Sequence, residues 1–318
     1  MSELLRVAVI GVGALGRHHA RIYAELPNTE LVAVVDTDAE RAAIQAEATG
    51  AKAVTDYRSI LGEVDAVSIV VPTVDHYQVA RDALEAGVHV LVEKPITSAL
   101  SEADDLIAIA KRNELTLQVG HVERFNPAVM ALSGRLNNPL FVESHRLGPL
   151  AERIRDVGVV LDLMIHDLDL LLSLVKSEVA EIDAVGVPVV TPHEDIANAR
   201  IRFVSGCVAN VTVSRVTPER QRRIRFFQGD SYLALDYLVP RLEIYRKRTG
   251  SNGEVVIERE TPDISNEEPL KTELRSFVNA VQHRTRPVVS GEDGRQALAL
   301  AEKIVRMIGD RARAQGLI

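Results

Sequence analysis

Only one cysteine, Cys207, occurs in the 318 residues. A lone thiol excludes an internal disulfide framework and suits a reducing compartment, so the expected location is the cytoplasm. Positive charge is also short: 37 Lys and Arg face 45 Asp and Glu, for a formal net charge of -8. Such a chain lacks the basic face that neutralises nucleic-acid phosphates, and general nucleic-acid binding is excluded as a function class. No apolar run approaches the roughly 20 residues that span a bilayer. The first stretch, MSELLRVAVIGVG, enters a strand pattern with neither a basic leader nor a cleavage site, so no membrane or secretory role is expected. Repeats and low-complexity tracts are missing as well. What remains is ordinary for a globular protein, 46% hydrophobic and 26% charged, and the length suits two domains.

From Leu4 to His121, short apolar runs alternate with helical patterns. The strand-like runs are LRVAVIGV, LVAVVD, DAVSIVVP, VHVLVEKP and LTLQVGH. Between them lie helical stretches such as ALGRHHARIYAEL, DAERAAIQAEAT and SEADDLIAIAKRN. Near-continuous Val, Ile and Leu marks strands buried on both faces, and the strand–helix–strand rhythm predicts an α/β domain over residues 1–121, a doubly wound parallel Rossmann sheet. The pattern then changes. Helices are expected over Asn126–Leu136 and Val160–Val175, with FVESHRLG between them. Seven strand-like runs follow: EIDAVGVPVV, IANARIRFV, CVANVTVSRV, RRIRFFQG, SYLALDYL, RLEIYRKR and EVVIERE. They are separated by turn signals such as SG, GD and TGSNG. Helices Glu267–His283 and Glu292–Arg313 close the chain. Residues 122–318 therefore read as an α+β domain with a large, mostly antiparallel sheet, its last helix placed to pack back on the first domain.

Gly11-Val12-Gly13-Ala14-Leu15-Gly16 is a complete G-x-G-x-x-G, directly after a strand and opening a helix. In that context Gly11 permits the tight turn, Gly13 lets the backbone approach a pyrophosphate, and Gly16 allows close helix–strand packing. The backbone around Ala14 and Leu15 then offers helix N-terminal N–H groups to the anion. About 20 residues on, Asp36 ends the second strand, followed by Thr37, where a carboxylate accepts the ribose hydroxyls of adenosine and repels a 2′-phosphate. NAD is therefore expected over NADP, with Arg41 a basic residue of the type that softens the preference. Pro72, Thr73 and His76 follow another strand on the same carboxyl edge, where cofactors bind. Taken alone, His76 is a helix-start residue.

LVEKPIT, at the end of the fourth expected strand, puts Glu93 and Lys94 on that edge too. A solvated ion pair before a proline turn is the plain reading. On a cofactor edge, however, a lysine can stabilise a substrate oxygen, and Glu93 joins Lys94 among the cofactor-edge residues. A second constellation is LDLMIHDLD. In a helix Asp162, His166 and Asp169 fall at i, i+4 and i+7 on one face. Three readings stay open: a capped core histidine, a metal site with an incomplete ligand set, or a general base whose ring a carboxylate orients.

In their order along the chain, G-x-G-x-x-G-x-x-H at Gly11–His19, E-K-P at Glu93–Pro95 and D-x-x-x-H at Asp162–His166 resemble the Gfo/Idh/MocA oxidoreductases, and the likeness runs on through GEDGRQAL at Gly291–Leu298. The resemblance implies an NAD-dependent enzyme without a metal, with Lys94, Asp162 and His166 as its catalytic group and a cis bond between Lys94 and Pro95. Within the family, GHVERFNPAV and VLDLMIHDLDLL look like the bacterial dehydrogenases that oxidise C3 of UDP-N-acetylglucosamine for the diamino-sugar route to lipid A. Expected substrate contacts are Lys94, His121, Arg124, Asn126, Arg153, Asp162 and His166. Arg146, Arg155, Arg215 and the run Arg220–Arg225 add basic residues for a diphosphate. The resemblance also implies a homodimer or homotetramer formed through the second sheet. Two alternatives stand beside this reading: a dehydrogenase of a free sugar or inositol, and a non-enzymatic NAD-binding regulator.

Overall fold

The computed structural model describes residues 4–150, 157–250, 252–314 and 316. They divide into two units, Met1–Val122 with Glu268–Arg295, and Glu123–Glu267 with Gln296–Ile318. The first unit carries six strands, β1 (Leu5–Ile10), β2 (Thr29–Val35), β3 (Lys52–Val54), β4 (Ala66–Ile69), β5 (His89–Glu93) and β6 (Leu117–Gly120). They form one parallel sheet in the order β3-β2-β1-β4-β5-β6. The order reverses between β1 and β4, which is where a doubly wound sheet opens its ligand crevice. β4 is buried along its whole length and β5 from Val90 onward, in keeping with their continuous apolar sequence.

Helices α1 (Gly16–Glu25), α2 (Ala39–Thr49), α3 (Thr73–Glu85) and α4 (Leu100–Arg112) link the strands. Asp38 caps α2 by accepting from the amides of Glu40 and Arg41, and Gly50 ends it at a φ of 76°, the left-handed conformation that glycine adopts readily. The short edge strand β3 was not among the expected ones. Its three residues, KAV, are too few to register as a periodic run. The strand that ends in Glu93 is therefore fifth in chain order, where the sequence suggested fourth.

The second unit holds an eight-stranded sheet: β7 (Phe141–Leu147), β8 (Val179–Val187), β9 (Ile196–Phe203), β10 (Val208–Ser214), β11 (Gln221–Phe227), β12 (Ser231–Asp236), β13 (Arg241–Thr249) and β14 (Val255–Glu260). Their order is β14-β13-β12-β11-β7-β10-β9-β8; β7 and β10 pair parallel and the other neighbours antiparallel. Alternation decides the faces. Val142, Ala199, Val211, Ile224, Leu233 and Ile244 point inward to one core, shared with α6 (Ile165–Val175) and with Ala297, Leu300, Ala301 and Ile304. The helix expected over Asn126–Leu136 is one turn, α5 (Pro127–Met130), started by Pro127 at its first position and followed by turns up to Gly134 at a φ of 72°.

The two closing helices are α7 (Pro269–His283) and α8 (Gly291–Ala314). Leu270, Leu274, Phe277 and Val278 of α7 belong to the core that Val7, Val9, Ile22 and Tyr23 build in the first unit. Phe277→Ala is expected to lower the stability of that unit by about 3–5 kcal/mol, as truncation of a buried aromatic does. Urea unfolding followed by far-UV circular dichroism measures it, and an unchanged midpoint would remove α7 from that core.

Candidate active site

The glycine loop follows β1 directly. Gly11 has a φ of 88°, and a Cβ there would lie 2.4 Å from the carbonyl oxygen of Val70. A Cβ on Gly16 would lie 1.8 Å from the carbonyl oxygen of Gly11. Both positions therefore exclude any side chain. Gly13 differs, because its Cβ would meet no protein atom within 4 Å. The space at Gly13 is open, as backbone contact with a pyrophosphate requires. Helix α1 starts without a side-chain cap and without an acidic residue in its first turn, so its N-terminal donors and dipole remain available to an anion. A cavity of about 720 Å³ extends from this loop, bounded by Gly11, Gly13, Asp36, Arg41, Pro72 and Val79. These features fit a bound dinucleotide.

Asp36 is buried at the cavity wall. Its carboxylate accepts from the amide of Val12 at 3.0 Å and from that of Asp38 at 3.0 Å, and Arg41 Nη1 lies 3.1 and 3.2 Å from its two oxygens. Arg41 thus pairs with this carboxylate. Thr37 lines the same cavity, and Pro72 stands at the N-cap of α3 with Thr73 as its first residue. A larger groove of about 870 Å³ opens at the opposite edge of the sheet, by His89 and Leu117 at the starts of β5 and β6. It contains none of the expected site residues.

At the end of β5, Glu93 is buried and Lys94 half-buried, and the Lys94–Pro95 peptide is cis. His76 is buried as well. Its Nδ1 lies 2.8 Å from the Pro95 carbonyl and its Nε2 3.0 Å from that of Val71. A neutral ring can donate to only one of them. Burial lowers the His76 pKa, while the carbonyls of Pro95 and Val71 and the charge of Glu93 oppose the fall. His76 therefore sits between the turn after Lys94 and the end of β4, donating to one of the two carbonyls. His121, just beyond β6, is also buried.

In the second unit the expected helix begins as a π-helical turn, Val160–Met164, and continues as α6. Asp162 lies within the π turn and His166 just after it, both half-buried. Such a turn inside a helix is frequent at functional sites. Asp169 is buried and receives two bonds from Arg124, Nε at 2.7 Å and Nη2 at 2.6 Å. Asn126 caps α5 through the amide of Ala128 and donates to the Tyr237 carbonyl. Both side chains thus have structural partners within their own unit. Arg153 and Arg155 lie outside the described residues.

Several buried partners escaped the sequence reading. Asp167, next to His166, accepts from Arg146 Nε at 2.7 Å, from Ser144 at 2.9 Å and from the Tyr237 hydroxyl, and Arg146 also reaches Glu123 at 3.0 Å. Burial works against the Arg146 charge, but Asp167, Tyr237 and Glu123 outweigh it and raise its pKa well above the usual value. Alternation along FVESHRL puts Arg146 on the same face as Val142 and Ser144, and that signal marks an arginine pointing inward. Asp195 accepts from the amides of Val189, Val190 and Thr191 and from Arg215 Nε at 2.7 Å, while Arg215 Nη1 donates to the Val157 carbonyl. Beside it, Glu194 accepts from the amide of Val160 at 3.3 Å. A Cβ on Gly158 would lie 1.9 Å from that carboxylate. The entry to the π turn is thus braced by Glu194, Asp195 and Arg215.

A Rossmann sheet with an open glycine loop, joined to a unit built on a large antiparallel sheet, defines an NAD-binding oxidoreductase. Residues 5–121 match the oxidoreductase family with an NAD-binding Rossmann fold, and residues 130–231 match the GFO/IDH/MocA C-terminal domain. The chain belongs to the Gfo/Idh/MocA family, and it is an oxidoreductase with NAD as its cofactor rather than a non-enzymatic NAD-binding regulator. It is 41% identical to UDP-N-acetylglucosamine 3-dehydrogenase of Acidithiobacillus ferrooxidans over 94% of this chain and 96% of that one. A solved structure of that enzyme superposes with a TM-score of 0.90 at 40% identity, covering 97% and 98% of the two chains. The scyllo-inositol 2-dehydrogenase (NAD(+)) of Bacillus subtilis is 31% identical over 69% of each chain.

Asp36→Ser is expected to weaken NAD binding by at least about tenfold, roughly 1.4 kcal/mol, and to bring NADP within reach, because a carboxylate that repels a 2′-phosphate is gone. Fluorescence titration with both cofactors checks it. Burial alone would raise the Asp195 carboxyl, but the amides of Val190 and Thr191, with Arg215 and Val189, hold it well below the usual carboxylate range. A depressed carboxyl stabilises the fold above its unfolded pKa near 4 and loses that contribution as pH falls. Asp195→Asn should therefore cost about 3–5 kcal/mol at pH 7, the range for breaking a buried pair. In urea titrations its deficit against the parent should shrink below about pH 4.

Proposed function

We propose that the chain oxidises the C3 hydroxyl of UDP-N-acetylglucosamine to the 3-keto sugar. The observation that carries this reading is near-full-length similarity, 41% identity over 94% of the chain, to an enzyme of that activity. Gly11, Gly13, Ala14, Leu15, Gly16, Asp36 and Thr37 would hold the adenosine and pyrophosphate end of the cofactor. Pro72, Thr73, His76, Glu93 and Lys94 would border the nicotinamide end. NAD, when bound, accepts the hydride from the carbinol carbon.

The remaining chemistry falls to side chains. His166 removes the hydroxyl proton as general base, which suits an imidazole near neutral pH. Lys94 hydrogen-bonds the oxygen as it gains negative charge, an electrostatic contribution of the kind that usually dominates such steps. Asp162 orients the imidazole or the substrate, and His121, Arg124, Asn126 and Arg153 would complete the contacts to the sugar, Arg124 while still bonded to Asp169. The alcohol loses one hydride and one proton and becomes the ketone.

The cellular setting belongs to the same proposal. No helix among the described residues is long and apolar enough to cross a membrane, and a nucleotide sugar and NAD are both cytoplasmic reactants. The 3-keto product suits amination on the diamino-sugar route to lipid A. The sheet of the second unit supports a homodimer or homotetramer. Phe141, Phe227, Tyr232 and Tyr245 form a ladder across its outer face, with centroid spacings of 5.5, 4.9 and 5.6 Å, and Phe227 remains 37% exposed.

A second reading, oxidation of a free inositol or sugar, rests on the 31% identity to the inositol enzyme. An absorbance assay for NADH separates the two: micromolar UDP-N-acetylglucosamine should drive turnover and millimolar myo- or scyllo-inositol should not, and the opposite result selects the second reading. Lys94→Ala should reduce turnover by about 10²–10³-fold, the range for losing one oxyanion donor, with NAD affinity nearly unchanged. Full turnover in that variant would refute the assigned role.

A further inference from the structure

Glu93 has no chemical role in the reaction above, yet it is buried at 8% exposure directly before Lys94. Three features of the first unit converge on its carboxylate. His19, on α1 and fully buried, brings Nε2 to 3.3 Å from Oε1, within ion-pair range but without hydrogen-bond alignment. The other oxygen, Oε2, accepts from the backbone amide of Lys94 at 3.3 Å. Gly120 lies opposite Glu93 in the β5–β6 register, and a Cβ there would fall 2.8 Å from the carboxyl carbon and from Oε1 and 3.0 Å from Oε2. The glycine makes the room that the carboxylate occupies.

A buried carboxylate is stable only with partners, and here the partners come from two places that matter. One is the helix whose N-terminus follows the glycine loop. The other is the amide of the lysine itself. His76 holds the opposite side of Lys94 through the Pro95 carbonyl at 2.8 Å. The lysine is thus flanked before and after, and its strand end lies against α1 at His19.

We propose that Glu93 and His19 are positioning residues, a buried pair in the space left by Gly120 that fixes the backbone at Lys94 and couples its placement to the cofactor-binding helix. The proposal rests on the catalytic role given to Lys94. A misplacement of about 1 Å can cost up to about 100-fold in rate, so Glu93→Gln and His19→Asn should each lower kcat by about 10- to 100-fold. KM for the sugar should stay within about threefold of the parent, because the groups that contact the sugar remain. The double variant should be no worse than the poorer single one, as expected for two groups acting as one unit.

Gly120→Ala provides an independent route. Its methyl displaces the carboxylate while leaving both partners in the sequence. In the protein without substrate, the Lys94 amide should exchange its hydrogen at least about tenfold faster in Gly120→Ala, since the methyl displaces the carboxylate and the bond to Oε2 is lost. Thermal melts identify any variant that fails to fold, and the remaining variants then decide. A kcat within twofold of the parent, losses confined to KM, additive losses in the double variant, or an unchanged Lys94 amide would each overturn the proposal. Lys94→Ala keeps the two readings apart. If it is inactive while Glu93→Gln and His19→Asn are fully active, only the positioning role falls; if it is fully active, the catalytic role falls first.

Discussion

A charge taken out of water must be met by an opposite charge or by donors, and both units are arranged around that constraint. An ion left alone in a low-dielectric interior costs several kcal/mol, more than most single contacts return. In the second unit, Asp167 is met by Arg146, Asp169 by Arg124 and Asp195 by Arg215. In the first, Glu93 lies 3.3 Å from His19 and accepts from the Lys94 amide. These pairs are poor evidence for stability, since well-packed apolar residues do as well. Their value is directional. An apolar side chain tolerates sliding, whereas a carboxylate held by two or three donors accepts one orientation. The helix with Asp162 and His166 is flanked by Asp167 and Asp169 on its own length and by Asp195 at its entry.

Glycine sets the complementary limit, on volume. At Gly11 and Gly16 the neighbour is backbone, at 2.4 and 1.8 Å from a notional Cβ, and nothing can yield. At Gly120 and Gly158 the neighbour is a carboxylate, of Glu93 and Glu194 respectively. There a methyl would move the acid rather than break the turn. The first pair is a requirement of the fold, and the second adjusts an electrostatic arrangement near residues assigned to chemistry.

That distinction explains how much was legible in the sequence. The strand–helix rhythm and the glycine loop are local signals, so β1, β2, β4, β5 and the alternating strands of the second sheet could be read from short windows. Gly11, Gly13 and Gly16 act within six residues of one another, and their roles could be assigned in advance. β3 was missed because three residues carry no period. The ion pairs were missed for another reason: Arg146 and Asp167 are far apart in the chain, as are Arg124 and Asp169, and charge alone does not choose partners. Without them, Arg124, Arg146 and Arg215 look like surplus cations for a diphosphate. The π turn was invisible because an i, i+4 spacing suits it and an α-helix almost equally.

Pairing also changes how an anion can be held by so acidic a chain. A guanidinium already bonded to a carboxylate at 2.6–2.7 Å, as in Arg124, Arg146 and Arg215, carries little residual field, and an incoming phosphate would have to compete with its partner. Arg222 is in a different condition. It lies 3.6 Å from Glu123, which Arg146 already holds more closely at 3.0 Å. Burial and the neighbouring Arg146 charge both lower its pKa. A guanidinium whose carboxylate is held more closely by another arginine gains more from an added anion than one in a close pair of its own. The net charge of the chain is therefore a weak guide to its anion sites. What decides is which positive groups the fold has left incompletely paired, and in the second unit that argument favours Arg222 over the three arginines that sit in close pairs.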